Sequence, residues 1–271
     1  LRYVFREEEY TLEPSPTEYQ AAMNQMMDAA MWDLIPRCMN TDGIAVFSIG
    51  HPGSGKSSIL ENVYVDTQKV YAGTTLPDLK AFVRIDPDEL LFRNPFYVKH
   101  LRERTAAASP DGMVVINPNV VGNRVIRKMV RDGVDELLNM CIKNQYSFVF
   151  ESLWQNPDYY HTNVYLPVHE AFDHVFVYIF QNGDVEDVIA GLNQRAEATG
   201  RFVPETFVRE KWEEGMRRTI GAPDVRDSGG PFFQSFVKPD PKPGQYNMIE
   251  TKSDGSHRSV YTEMVGDETS V

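Results

Sequence analysis

The sequence predicts a three-layer α/β fold built on a mostly parallel central sheet, and three observations predict it. Four short apolar runs recur along the chain, longer helical patterns lie between them, and a glycine-rich turn joins the first run directly to a helix. Strands separated by helices return by right-handed crossovers, which lays the strands parallel and covers both faces of the sheet.

The first run, Gly43 to Ile49, is continuously apolar apart from Ser48, as a strand buried on both faces requires. Ala81–Asp86, Gln145–Glu151 and His174–Phe180 are the other three. Helical patterns cover residues 122–143, 159–172, 185–197 and 204–219, and a further helix runs from Lys56 to Val65. Upstream, Thr17 to Met39 reads as a helix with Thr17 as N-cap. Ala21, Met23, Met26, Met27, Ala30, Met31, Leu34 and Ile35 recur there at helical spacing. This methionine stripe reads first as core packing and second as an interaction face.

Residues 1–16 are charged, carry Pro14 and Pro16, and read as an arm or linker. Beyond Gly221 the breakers Gly229-Gly230-Pro231 and Lys238 to Gly244 announce a loop-rich tail, with short edge strands expected at Tyr246–Glu250 and Ser259–Glu263. The expected organisation is an N-terminal arm and helix packed on the core (1–40), the core itself (41–220) and a C-terminal extension (221–271).

A chain of 271 residues can bury one substantial core. Its formal charge of −12 argues against a nucleic-acid partner bound over a broad surface, yet leaves room for a small basic pocket. No apolar run approaches the length of a membrane span, and Leu1 to Arg6 lack the apolar stretch of a signal peptide. The expectation is a cytoplasmic protein with no membrane partner. Cys38 and Cys141 fall within helical patterns and read as small buried thiols, and the histidines lack metal-ligand spacing.

Gly50-His51-Pro52-Gly53-Ser54-Gly55-Lys56-Ser57 satisfies G-x-x-x-x-G-K-[S/T] in full, and Ser58 follows. Glycines let the backbone turn its N–H groups toward phosphate oxygens, and the helix that follows aims its N-terminus at the same anion. In this pattern Lys56 bridges the β- and γ-phosphates and the Ser57 hydroxyl ligates Mg²⁺. ATP or GTP with magnesium is the expected ligand. His51 occupies a permissive position of the loop.

No N-K-x-D guanine signature follows, and Phe148-Val149-Phe150-Glu151 ends in a single Glu, which suits neither a common GTPase nor an ATPase motor. Arg84-Ile85-Asp86-Pro87-Asp88-Glu89 is more telling. It places carboxylates at the C-terminal end of what is expected to be the strand next to the phosphate-loop strand. A kinase needs such a group to take the acceptor's proton. Asp86 suits a helix cap before Pro87, and Asp88 suits the base. Arg195 and Arg201 lie either side of a helix end, ahead of Pro204, as a lid over a triphosphate would require. Trp154, Tyr159 and Tyr160 read as core aromatics or as a stacking surface.

In this order and spacing, from Ile44 to Trp212, the residues resemble the zeta toxin family of P-loop kinases. The loop through Ser58, the segment Ile85-Asp86-Pro87-Asp88 with Asn94-Pro95-Phe96, the strand ending in Glu151-Ser152, and Arg195 and Arg201 with Phe202-Val203-Pro204 carry the resemblance. It implies a P-loop kinase fold and phosphorylation of a small-molecule hydroxyl. Asp88 would be the base, Lys56, Arg195 and Arg201 would act on the phosphates, and Asp86, Asp135 and Glu151 would be substrate-binding carboxylates. The family acceptor is the sugar of UDP-N-acetylglucosamine, and a related group takes the ribose of NAD. A nucleoside, a polynucleotide end, or a nucleotide-dependent switch module remain the alternatives. An antitoxin or other inhibitory protein is the partner the resemblance implies.

Overall fold

The computed structural model describes residues 2–53, 56, 60–61, 64, 77–153, 161–172, 174–180, 185–219, 245–252 and 257–263. In chain order the elements are β1 (Arg2–Phe5), α1 (Pro16–Asp33), β2 (Ile44–Gly50), β3 (Val83–Ile85), α2 (Pro87–Leu91), α3 (Pro95–Ala106), β4 (Met113–Ile116), α4 (Pro118–Gly122) and α5 (Arg124–Asn144). There follow β5 (Phe148–Ser152), α6 (Leu166–Ala171), β6 (His174–Phe180), α7 (Val185–Thr199), α8 (Glu205–Thr219), β7 (Gln245–Lys252) and β8 (His257–Glu263).

The main sheet runs β3-β5-β2-β6-β7-β8. Its first four strands are parallel, while β7 and β8 add antiparallel to one edge. Successive side chains of a strand point to opposite faces, and β2 uses both. Ala45, Phe47 and Ile49 join a core with α1, α5 and α6, while Ile44 and Val46 join Leu60, Tyr64 and Phe82 on the other side. The result is the expected three-layer α/β arrangement with a mostly parallel sheet.

Local chemistry explains most boundaries. α1 starts at Pro16 behind Ser15, whose hydroxyl accepts from Glu18 N while the Glu18 carboxylate accepts from Ser15 N at 2.8 Å, a reciprocal capping box. Ser15 therefore caps this helix, not Thr17, because Pro at the first helical position fixes the start one residue after the cap. Met23, Met26 and Met27 are buried, so the methionine stripe is core, whereas Ala21 and Met31 face outward. Buried Asn94 caps α3, accepting from Phe96 N and Tyr97 N, and its amide donates to Met129 Sδ at 3.1 Å.

Four further expectations are corrected. Residues 2–5 are a strand, not an irregular arm: they pair in parallel with β4 in a second, two-stranded sheet, with Tyr3 opposite Val114 and Phe5 opposite Ile116. The acidic segment is not on the strand beside the phosphate-loop strand, because β5 lies between β3 and β2. An apolar run marks a strand but not its place in the sheet, which the crossovers set. Cys38 lies beyond α1 and is exposed; only Cys141 is buried. The helix expected at 159–172 comprises, among its described residues, a π turn (His161–Tyr165) and α6.

The helix expected after the glycine-rich loop is described at Lys56, Leu60, Glu61 and Tyr64, all helical. Trp154, Tyr159, Tyr160 and the breakers between Gly221 and Gly244 lie outside the described residues. No described helix is long and apolar enough to cross a membrane.

Candidate active site

Gly50 is the last residue of β2, so the glycine-rich turn starts at the C-terminal edge of the sheet, where open α/β sheets hold ligands. His51 and Pro52 are buried. Gly53 takes a φ of +76°, the left-handed region that glycine enters without strain. A Cβ at Gly53 would stand 2.9 Å from Val188 Cγ1 and 3.1 Å from Leu192 Cγ, so the loop backbone presses directly on α7. The Lys56 ammonium turns back along the loop, donating to Gly50 O at 2.9 Å and His51 O at 3.2 Å. Ser54, Gly55, Ser57 and Ser58 lie outside the described residues, the expected magnesium ligand among them. His51 Nδ1 donates to the Pro52 carbonyl at 2.9 Å, and burial holds its imidazole below the usual histidine range, which favours the neutral ring.

Strand register sets the carboxylates. Ile85 pairs with Phe150, and Glu151 pairs with Ser48, so Asp86 and Glu151 follow that pair at one level on adjacent chains, two residues before the loop's first glycine. Asp86 then caps α2, accepting from Asp88 N at 2.8 Å with Pro87 at the first helical position. Burial, followed by the negative charges of Glu151 and Asp88, pushes the Asp86 carboxyl up to about 7, against the pull of the Asp88 N–H and Arg201. Glu151 is buried. Asp88, two residues further, is exposed and accepts from Arg201 Nη2 at 2.9 Å.

The arginines come from the far side. α7 carries Arg195 in its last turns, and Gly200, at φ +74°, swings the chain out of the helix to Arg201. Arg195 Nε is buried without a hydrogen-bond partner among the described residues. Burial lowers the affinity of its guanidinium for the proton, Arg201 adds to that, and Asp88 and Asp86 oppose it. Burial likewise lowers the Lys56 ammonium, opposed in order by Glu151, Asp88 and Asp86, with Arg195 acting the other way. Lys56, Asp86, Asp88, Glu151, Arg195 and Arg201 thus form one electrostatically linked cluster of three cations and three carboxylates, in which Arg201 touches Asp88 at 2.9 Å and Asp86 accepts from Asp88 N at 2.8 Å.

Asp135 does not join it. It sits midway along α5, half-buried, with Asp132 and Arg131 as the charges that act on it; burial and Asp132 raise its carboxyl. Sequence reasoning also missed Phe92, whose ring lies 5.1 Å from the Arg201 guanidinium carbon in a cation–π contact. A single aromatic at the end of a short helix carries no sequence signal for such a role.

The parallel strand order, the turn at the end of the central strand and a lysine folded back over that turn define the class: a three-layer α/β protein with a P-loop. No protein-family model matches the chain, and no curated protein does. Among solved structures, a chain from the PezAT chromosomal toxin-antitoxin system of the human pathogen Streptococcus pneumoniae is similar at a TM-score of 0.43 and 13% identity, over 79% of this chain and 76% of that chain.

Proposed function

We propose that the chain is a kinase that transfers the γ-phosphoryl group of ATP or GTP to a hydroxyl of a small molecule. The convergence of Lys56 at the loop with Asp86, Asp88 and Glu151 on one side and Arg195 and Arg201 on the other carries this reading. A phosphoryl transfer needs those three elements within reach of one another: a phosphate cradle, a proton acceptor, and cations for the charge that develops on the transferring group.

In this reading the loop amides and Lys56 hold the β- and γ-phosphates. Asp88 takes the proton of the acceptor hydroxyl as its oxygen bonds to the γ-phosphorus. The bond from that phosphorus to the bridging oxygen breaks, its electron pair leaves with the nucleoside diphosphate, and Asp88 releases its proton to solvent. Arg201 neutralises Asp88 between turnovers and turns toward the phosphates beside Arg195. Ser57 would ligate Mg²⁺, which when bound neutralises phosphate charge.

Asp86 and Glu151 would orient the acceptor. Asp135 is given no role, because no charge of the cluster acts on it. The zeta toxin resemblance favours a nucleotide sugar such as UDP-N-acetylglucosamine as acceptor and an inhibitory protein as partner. Incubation with γ-labelled ATP and a panel of nucleotide sugars, NAD, nucleosides and oligonucleotide ends tests this. Label on a nucleotide sugar supports the full reading, and label on another acceptor revises only the substrate. Release of free phosphate alone, whatever is offered, would leave a nucleotide-dependent switch and no kinase.

A further inference from the structure

We propose that β1 is a positioning strap for Arg201, with Tyr3 and Phe5 setting the chain on either side of that arginine. The inference rests on the reading of Arg201 as a lid residue of the phosphoryl-transfer site. It goes beyond that reading by assigning the N-terminal strand to the same machinery.

Three observations carry it. First, Tyr3 and Phe5 are two apart on β1 and therefore share one face. The Tyr3 ring lies 3.2 Å from where a Cβ of Gly200 would stand, and the Phe5 ring stacks on Phe202 with centroids 4.5 Å apart and planes 27° from parallel. The two rings bracket Arg201. Second, the turn they brace is tightly set: Gly200 N donates to Ala196 O at 2.8 Å, Arg201 N to Thr199 Oγ1 at 3.3 Å, and Phe202 N to Gly200 O at 3.0 Å. From that turn Arg201 reaches across Phe92 to Asp88.

Third, the strap is fixed at its other end. Arg6 N donates to Ile116 O at 3.0 Å, Glu8 N to Asn117 Oδ1 at 3.2 Å, and Asn117 Nδ2 and Asn119 Nδ2 to Glu8 O at 3.0 and 2.8 Å. The Glu8 carboxylate is paired with Arg104 of α3. An anchored strand that touches the residues before and after one functional side chain limits where that side chain can stand. A displacement of about 1 Å at such a group can cost roughly a hundredfold in rate.

The test uses the full chain with Phe5→Ala, Phe5→Tyr, Tyr3→Ala, Arg201→Ala and the Phe5→Ala/Arg201→Ala double variant. It measures single-turnover consumption of ATP with the panel of candidate acceptors present, affinity for a fluorescent ATP analogue, and amide exchange in residues 199–203. Phe5→Ala is expected to speed exchange at residues 200–203 by about tenfold or more and to slow turnover by about tenfold, with analogue affinity within about twofold. Phe5→Tyr, which keeps the ring, is expected to restore both. In the Arg201→Ala background Phe5→Ala is expected to cost nothing further, because a residue that acts through Arg201 loses its effect with it.

Additive losses in the double variant, or unchanged exchange in both Phe5→Ala and Tyr3→Ala, overturn the proposal. Tyr3→Ala removes the other ring and decides the matter if Phe5→Ala does not fold. A wild-type chain that binds the analogue yet consumes no ATP with any acceptor of the panel overturns the kinase reading alone; the exchange measurements then still decide whether β1 sets the position of Arg201.

Discussion

Asp88 and Arg201, 113 residues apart in sequence, meet in an ion pair of 2.9 Å. The pair is only partly shielded, with 26% of the arginine side chain and 53% of the aspartate side chain exposed, so it adds little to stability, about 0–1 kcal/mol. Its consequence is chemical. It holds the proposed base and a proposed lid cation together at the mouth of the loop.

Asp88→Asn should therefore leave folding and nucleotide affinity nearly intact while removing phosphoryl transfer. General-base removal costs roughly a hundredfold to ten-thousandfold in rate. Labelled-ATP transfer beside an equilibrium binding measurement reads both effects. Full turnover in this variant would mean that another group takes the proton.

Asp86 gives a pH-dependent prediction. Its folded pKa, about 7, lies above the ordinary carboxylate value of 3.8 because burial and the Glu151 and Asp88 charges favour the neutral form. The folded state then holds a proton that the unfolded chain has lost. This stabilises the fold below about pH 4 and is lost as pH rises through about 7. Asp86→Asn keeps an acceptor for Asp88 N, because Asn caps helices as well as Asp does. The variant should match wild type near pH 4 and exceed it by about 1–3 kcal/mol at pH 8. Denaturant unfolding at the two pH values measures the difference, and an equal offset at both would separate the effect from this titration.

Much of this site was legible in residue types and order, while its assembly was not. The loop from Gly50 to Ser57 follows a buried run and opens a helix, a context that sequence shows directly. The pairing of Asp88 with Arg201 is invisible there, because it depends on where α7 crosses the sheet. β4 escaped notice because Met113 to Ile116 is only four residues long, between Asp111-Gly112 and Asn117-Pro118. α3 escaped because Lys99, Arg102, Glu103 and Arg104 dilute its apolar face, whose buried residues are Tyr97 and His100. β1 pairs with β4 and was lost with it: a strand of four residues makes sense only beside its partner.

The cysteines separate cleanly by environment. Cys38 is exposed, whereas Cys141 is buried in α5 and burial pushes its thiol up to about 12. A thiol reagent reacts with the thiolate, so the native protein should titrate with one equivalent, at Cys38, and the unfolded chain with two. Cys38→Ser should abolish the native signal. Prompt reaction of Cys141 under native conditions would mean that α5 opens far more readily than its packing implies.

Gly53 joins loop geometry to the lid helix. Its φ of +76° is strained for any residue with a Cβ, and that Cβ would meet Val188 and Leu192 of α7. Gly53→Ala should lower stability by about 1–2 kcal/mol through the backbone strain and push α7 away from the loop. Because α7 also carries Arg195, phosphoryl transfer should fall further than nucleotide affinity does. Trimming the contact in Gly53→Ala/Val188→Ala relieves the 2.9 Å approach to Val188 but not the φ strain. The double variant should therefore regain transfer relative to Gly53→Ala while staying less stable than wild type. Thermal unfolding and single-turnover rates on the three proteins check both halves. A double variant no faster than Gly53→Ala would show that the loop and Arg195 are not coupled through α7.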